Sequence, residues 1–175
     1  MTRMTVQTIM LPVTEFPTLF QTSSVRMAIE RLRSFCPLGA SAPCGFTELM
    51  VIDEQGRFLG RVTQQSILKV LFSSLLRAAD ETPFAGRLPE HSDLATLLDG
   101  VLLQEGMYHL DSPLTAVIER EVRPLSITTD LLQAMAVMVL GQETVLPVED
   151  DGKLVGIVKL AEIFGAIGDQ LTSGN

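Results

Sequence analysis

The sequence predicts a mixed α/β (α+β) protein made of two β-α-β-β-α repeats packed pseudo-symmetrically, with an extra helical connector between them. Three observations carry that reading. First, DEQGRFLGRVTQQSIL (53–68) returns ninety-six residues later as EDDGKLVGIVKLAEIF (149–164), with Gly56 and Gly60 falling on Gly152 and Gly156, Val62 on Val158, and Ile67 on Ile163. Second, PTLFQTSSVRMAIERL (17–32) aligns upstream with PLSITTDLLQAMAVMV (124–139). Third, each copy spans only roughly 55 residues, too few to bury a full core alone, so the copies should pack against one another.

The elements follow in order. Each copy opens with a Pro, a short extended piece and hydroxyl residues suited to capping a helix N-terminus, then an apolar helix. In the first helix Val25, Ile29, Leu32 and Phe35 fall close to one face at helical spacing. An apolar strand comes next, TELMVI (47–52) or TVLPVE (144–149), followed by an acidic turn ending in Gly, DEQG or DDG. Acid followed by Gly is hairpin chemistry, because Gly takes a positive φ at no steric cost. The second strand, RFLGRVT or KLVGIVK, has a Gly in its middle, which predicts a bulge or the close approach of another group. A last helix follows, QQSILKVLFSSLLRAA or LAEIFGAIGDQL.

Two segments fall outside the repeat. Pro17 and Gly56 are 39 positions apart, but Pro124 and Gly152 only 28, and the eleven extra residues are assigned to the Pro/Gly/Ser-rich loop FCPLGASAPCG (35–45). Between the copies, Ser92 is placed to cap an added helix whose Leu94, Leu97, Leu98, Val101 and Leu102 form an apolar stripe. The expected organisation is a first unit at 1–76, a helical connector at 77–114 and a second unit at 115–175.

Composition narrows the function. Apolar residues make up 46% of the 175, aromatic residues only 5%, and there is no Trp, so aliphatic side chains and Met must fill the interior. A mean hydropathy of +0.31 implies either a large core or apolar surface covered by a partner. The longest apolar run, LLQAMAVMVL, is about half the roughly 18 residues of a membrane span, and the N-terminus lacks a continuous signal-type apolar region. The expectation is a cytoplasmic protein without membrane insertion. A net charge of −8 disfavours nucleic-acid binding by bulk electrostatics, but leaves room for a small anion held by local donors.

The stretch "PV-acid-acid-G-x-h-x-G-h-h" before the last helix is written as LPVEDDGKLVGIV in the second copy and, without the Pro, as LMVIDEQGRFLGRV in the first. In this the chain resembles a tandem pair of cystathionine-β-synthase (CBS) domains, the Bateman module, over about 17–76 and 115–170. The resemblance implies adenosine-type ligands (AMP, ADP, ATP or S-adenosylmethionine) in clefts between the copies, with no cofactor required. It also implies a homodimer through the helices at 66–76 and 162–171, and an unidentified partner protein as the regulated target. The family's ligand motif is Gly-h-x-Thr/Ser-x-x-Asp: the hydroxyl and helix N-terminus offer donors to phosphate, and the Asp accepts from the ribose hydroxyls.

Carried over, the motif falls on Thr63 and Ser66 in the first copy and on Lys159 and Glu162 in the second, so neither copy keeps the Thr–Asp pair. Lys159 would bring positive charge to a phosphate in place of the hydroxyl. Ser126 stands where the family often places a further hydroxyl contact. Ordinary roles compete for each: Thr63 as a helix cap, Ser66 and Glu162 as first-turn residues, Lys159 as a solvated side chain and Ser126 as a turn residue. The alternative function is therefore a ligand-free dimerising scaffold.

Cys36 and Cys44 share the inserted loop at a spacing that is not a zinc pattern, and read as reduced thiols or, less simply, a redox pair. His91 and His109 stand alone, and Met27, Met107, Met135 and Met138 read as core filler. No nucleophile–base pairing, paired-carboxylate pattern or phosphate loop emerges, so no enzymatic activity is expected.

Overall fold

The structure, a computed structural model, describes residues 4–40, 45–74, 76–77 and 103–172. Strand β1 (Leu11–Pro12) lies in a leading segment between two 3-10 turns, Val6–Thr8 and Val13–Glu15. The first copy then runs β2 (Thr18–Phe20), α1 (Val25–Ser34), β3 (Glu48–Ile52), β4 (Phe58–Thr63) and α2 (Gln64–Leu71). The second runs β5 (Leu125–Ser126), α3 (Leu131–Gly141), β6 (Val145–Asp150), β7 (Lys153–Lys159) and α4 (Leu160–Thr172). The predicted order of elements is present in both.

Each copy has a parallel pair followed by an antiparallel hairpin: β2 beside β3 beside β4, and β5 beside β6 beside β7. The ladders fix the equivalences. Leu19 pairs with Val51 as Leu125 pairs with Val148, so the upstream offset is 106, one residue from the sequence alignment. The offset is 97 between β3 and β6, and 96 at the second hairpin glycine. The first copy's extra length is therefore ten residues, nine between helix and strand and one in the hairpin.

The copies exchange their leading segments. Leu11 and Pro12 of β1 pair antiparallel with Ile157 and Gly156 of β7. Reciprocally, Glu119, in the segment leading into the second copy, exchanges both backbone hydrogen bonds with Arg61 of β4, at 2.8 and 3.0 Å. The helix starts are tied in the same crossed way. Val6 N–H donates to the Thr129 carbonyl and Leu131 N–H to Met4, as Leu114 N–H donates to Ser23 and Val25 N–H to Ser112.

This exchange explains the glycines in mid-strand. A Cβ on Gly60 would stand 2.5 Å from the Glu119 carbonyl oxygen, and one on Gly156 would stand 2.7 Å from that of Leu11. The ladder also shifts register opposite each of them, between Val51 and Ile52 and between Val148 and Glu149. Both expected features, bulge and close approach, are present.

Three apolar clusters result. One holds the first copy together with Leu114 and Val117, and a second holds the second copy together with Val6. The third joins the copies through Phe16, Met50, Leu154 and Ile157. On α1, Val25 and Leu32 are buried and Ile29 packs beside them, as the spacing predicts; Phe35 is buried too, but as the extended residue that ends the helix. Among the methionines, Met138 is fully buried and Met135 packs against the core, but Met27 and Met107 are exposed. Met27 lies off the Val25–Ala28–Leu32 stripe, so its hydrophobicity does not bring it inward. Residues 103–109 are helical, while Ser92, the stripe Leu94–Leu102, His91 and Cys44 lie outside the described residues. No helix among the described residues is long and apolar enough to cross a membrane.

Candidate functional site: two clefts between the repeats

The end of each last strand meets the other copy in a cleft, and the two clefts are built differently. In the first, Thr63 ends β4 and caps α2. Its hydroxyl accepts from the Ser66 N–H at 3.0 Å and donates to the Glu119 carboxylate at 2.9 Å. The Ser66 hydroxyl in turn accepts from the Thr63 N–H and donates to the Thr63 carbonyl, both at 3.0 Å. This reciprocal capping box commits both hydroxyls internally.

Arg61 fills the space beside them. Its guanidinium lies 2.6 Å from Glu143, 3.2 Å from Glu119 and 3.5 Å from Glu48. These carboxylates come from β3, from the segment before the second copy and from the turn before β6, so the cluster bridges the repeats. One cation faces three acids. Burial pushes the Glu48 carboxyl above the ordinary range; Arg61 opposes that shift, and Glu143 and Glu119 add to it. A cavity of about 270 Å³ remains, bordered by Glu48, Thr63 and Gln64.

The second cleft is open and aromatic. Lys159, the equivalent of Thr63, borders a cavity of about 440 Å³ with Val145, with Glu15 and Phe16 of the leading segment, and with Phe46 and Glu48 of the first copy. That volume is within the usual range for small-molecule sites. The Lys159 ammonium stands 5.5 Å from the centre of the Phe46 ring, close enough for a cation–π attraction. Phe46 is held edge-on by Phe16 and Phe35 at 5.0 and 5.4 Å. Phe46 and Glu143 occupy equivalent positions, each directly before the equivalent residues Thr47 and Thr144. One puts an aromatic ring beside Lys159, and the other puts a carboxylate on Arg61.

The residues singled out from sequence are thus dispersed. Thr63 and Ser66 are joined in the first cleft and Lys159 borders the second. Glu162 is exposed and lines a separate groove of about 710 Å³ between α4 and the Met4–Met10 segment. Ser126 is exposed at the end of β5, its hydroxyl 3.0 Å from that of Thr128 and accepting from the Thr128 N–H. The exposed Cys36 thiol donates to the Ala40 carbonyl, and His109 stacks edge-on against Tyr108.

The side chains that shape the clefts, namely Phe46, Glu48, Arg61, Glu119 and Glu143, were not among the sequence candidates. Glu48 and Arg61 left one trace, as charged residues inside otherwise apolar strands. Glu119 and Glu143 left none, because they meet Arg61 across 58 and 82 residues of chain.

The model of the CBS domain family matches residues 6–73 and 114–169. Among solved structures, the fold is similar to that of CBSX2 in complex with AMP: 21% identity, covering 96% of this chain and 98% of that one, with a TM-score of 0.62. It is also similar to a CBS domain-containing protein of unknown function from Kribbella flavida, at 15% identity, 94% and 99% coverage and a TM-score of 0.68. CbpB in complex with c-di-AMP is similar at 13% identity, 97% and 88% coverage and a TM-score of 0.62. At such identities the likeness shows the fold alone, and a search of curated proteins finds no match. With its two copies clasped through exchanged leading segments and its family match covering most of the chain, this protein belongs to the CBS domain family.

Proposed function

We propose that this chain is a stand-alone regulatory CBS pair that binds one adenosine-type ligand in the second cleft and passes the change to a partner protein. The observation that carries this reading is the 440 Å³ cavity between the copies, with the Lys159 ammonium and the Phe46 ring on its wall. Lys159 supplies charge for a phosphate or carboxylate, and Phe46 supplies a face or edge for a purine. Because Glu15 and Phe16 precede the first copy, Phe46 and Glu48 belong to it and Lys159 belongs to the second, a ligand here touches both halves. It therefore biases their relative arrangement, which is the requirement for signalling by shape. The module binds and does no chemistry of its own.

Thermal-shift and calorimetric measurements with AMP, ADP, ATP, S-adenosylmethionine and c-di-AMP test the reading. Ligand at about 100 times its dissociation constant adds roughly 2.7 kcal/mol of stability. Lys159→Met should weaken a phosphate-bearing ligand about tenfold while leaving unliganded stability nearly unchanged, since Lys159 contributes no more than a partly exposed cation–π contact.

A second reading, a ligand-free dimerising scaffold, draws on the first cleft, where Thr63 and Ser66 are already satisfied by each other and by Glu119. Its surface would be the helices: Leu68, Leu132, Leu140, Phe164 and Leu171 are exposed, as a cytoplasmic homodimer joined through them would require. Absence of any shift with all five ligands would favour this reading.

A further inference from the structure

Among the described residues Thr47 and Glu48 border both clefts, and of the two only Glu48 carries a charge. Only 7% exposed, it sits at the start of β3 directly opposite Thr63, with its carboxylate toward Arg61. Its contact with Arg61, at 3.5 Å, is the longest of the three the guanidinium makes; Glu143 and Glu119 hold that cation more closely. The negative charge of Glu48 is therefore the least compensated of the cluster. On its other side lies the second cavity, where the described charged residues are Lys159, Glu15 and Glu48: one ammonium against two carboxylates. A single phosphate group placed at Lys159 meets its counter-charge there. Among the described lining residues there is no second cation for further phosphates, which must share the cavity with the carboxylates.

We propose that Glu48 is a specificity-determining residue of the second cleft, setting it to accept an adenosine ligand with one phosphate in preference to one carrying a di- or triphosphate. This rests on the ligand-binding reading above and adds to it a rejecting element, which specificity commonly needs beside the attracting one. The rejection is electrostatic and not steric, because Glu48 forms part of the cavity wall and leaves the 440 Å³ open.

Calorimetric titration of AMP and of ATP, both free of magnesium, into the wild-type protein and into Glu48→Gln tests it. The wild type should bind AMP at least about tenfold more tightly than ATP, and Glu48→Gln should narrow that ratio by roughly three- to tenfold, through tighter ATP. Arg61 keeps Glu143 and Glu119 in this variant. An independent measurement needs no substitution: raising the salt concentration on the wild type should narrow the AMP-to-ATP ratio, because charge repulsion is screened and a steric limit is not. A ratio that stays constant in both experiments, or a wild type that binds ATP as well as AMP, overturns the proposal and leaves the ligand-binding reading standing. Failure of the wild type to bind either nucleotide also overturns the proposal, and the ligand-binding reading falls with it only if ADP, S-adenosylmethionine and c-di-AMP give no shift either.

Discussion

The two clefts occupy equivalent places and have opposite chemistry. At the position of Thr63 the second copy has Lys159, at that of Arg61 it has Ile157, at that of Glu48 it has Val145, and at that of Phe46, in the first copy, it has Glu143. The first cleft is thus closed by an internal cation held by three acids, and the second is left as a cavity with a cation and an aromatic wall. Duplication supplied two identical frames, and a handful of side chains made one a clamp and the other a pocket. Those substitutions are matched across the interface: the acids that hold Arg61 come from both copies and from the segment between them. A single change at Arg61 therefore strands several charges at once.

The largest expected effect tests what the clefts still share. Gly60→Ala should cost about 3 kcal/mol or more in denaturant unfolding, because the new methyl group would lie 2.5 Å from the Glu119 carbonyl and the φ of +152° disfavours any side chain. Gly156→Ala should cost less. Its Cβ would stand 2.7 Å from the Leu11 carbonyl, but its φ carries no such penalty, and the nearby Met10 side chain can yield. Equal costs would mean that the crossing segments, and not the backbone angle, set the requirement at both places.

Next comes the clamp itself. Arg61→Met leaves Glu48, Glu119 and Glu143 facing one another, and should destabilise by about 2–3 kcal/mol, below the full figure for a buried pair because Glu119 is partly exposed. Combining Arg61→Ile with Glu48→Val, which gives the first cleft the residues of the second, should recover a good part of that loss. If the double variant is no better than the single one, the acids of the segment and of the second copy carry the cost.

The smallest effect is a pH dependence. Burial, Glu143 and Glu119 hold the Glu48 carboxyl above its ordinary range, so the folded protein takes up this proton more readily than the unfolded chain. The associated stability is fully present below the ordinary carboxylate range, and is lost as pH rises through the elevated value. Glu48→Gln should accordingly match the wild type in acid and exceed it at neutral pH. A variant equally less stable at every pH would show that Arg61 outweighs burial at this position.

Much of this was legible in the chain. The duplicated phrase gave the architecture, the mid-strand glycines announced a close approach, and the spacing of Val25, Ile29 and Leu32 gave the buried face of α1. These are local signals: hydrophobic period, turn chemistry and steric demand at a single residue all act within a few positions. The upstream alignment slipped by one residue because the short pieces before each helix have no side-chain pattern strong enough to fix their register, which the hydrogen-bonded ladders do.

The sequence alone therefore determined that two half-size units exist, what elements each contains and where the backbone must be bare. Only the tertiary structure decided that each unit is completed by the segment leading into the other, and which charged side chains meet. Arg61 finds partners 13, 58 and 82 residues away, and Lys159 finds the ring of Phe46. Electrostatic and aromatic contacts depend on distance in space, and that is set by how the copies clasp; no periodicity along the chain records it.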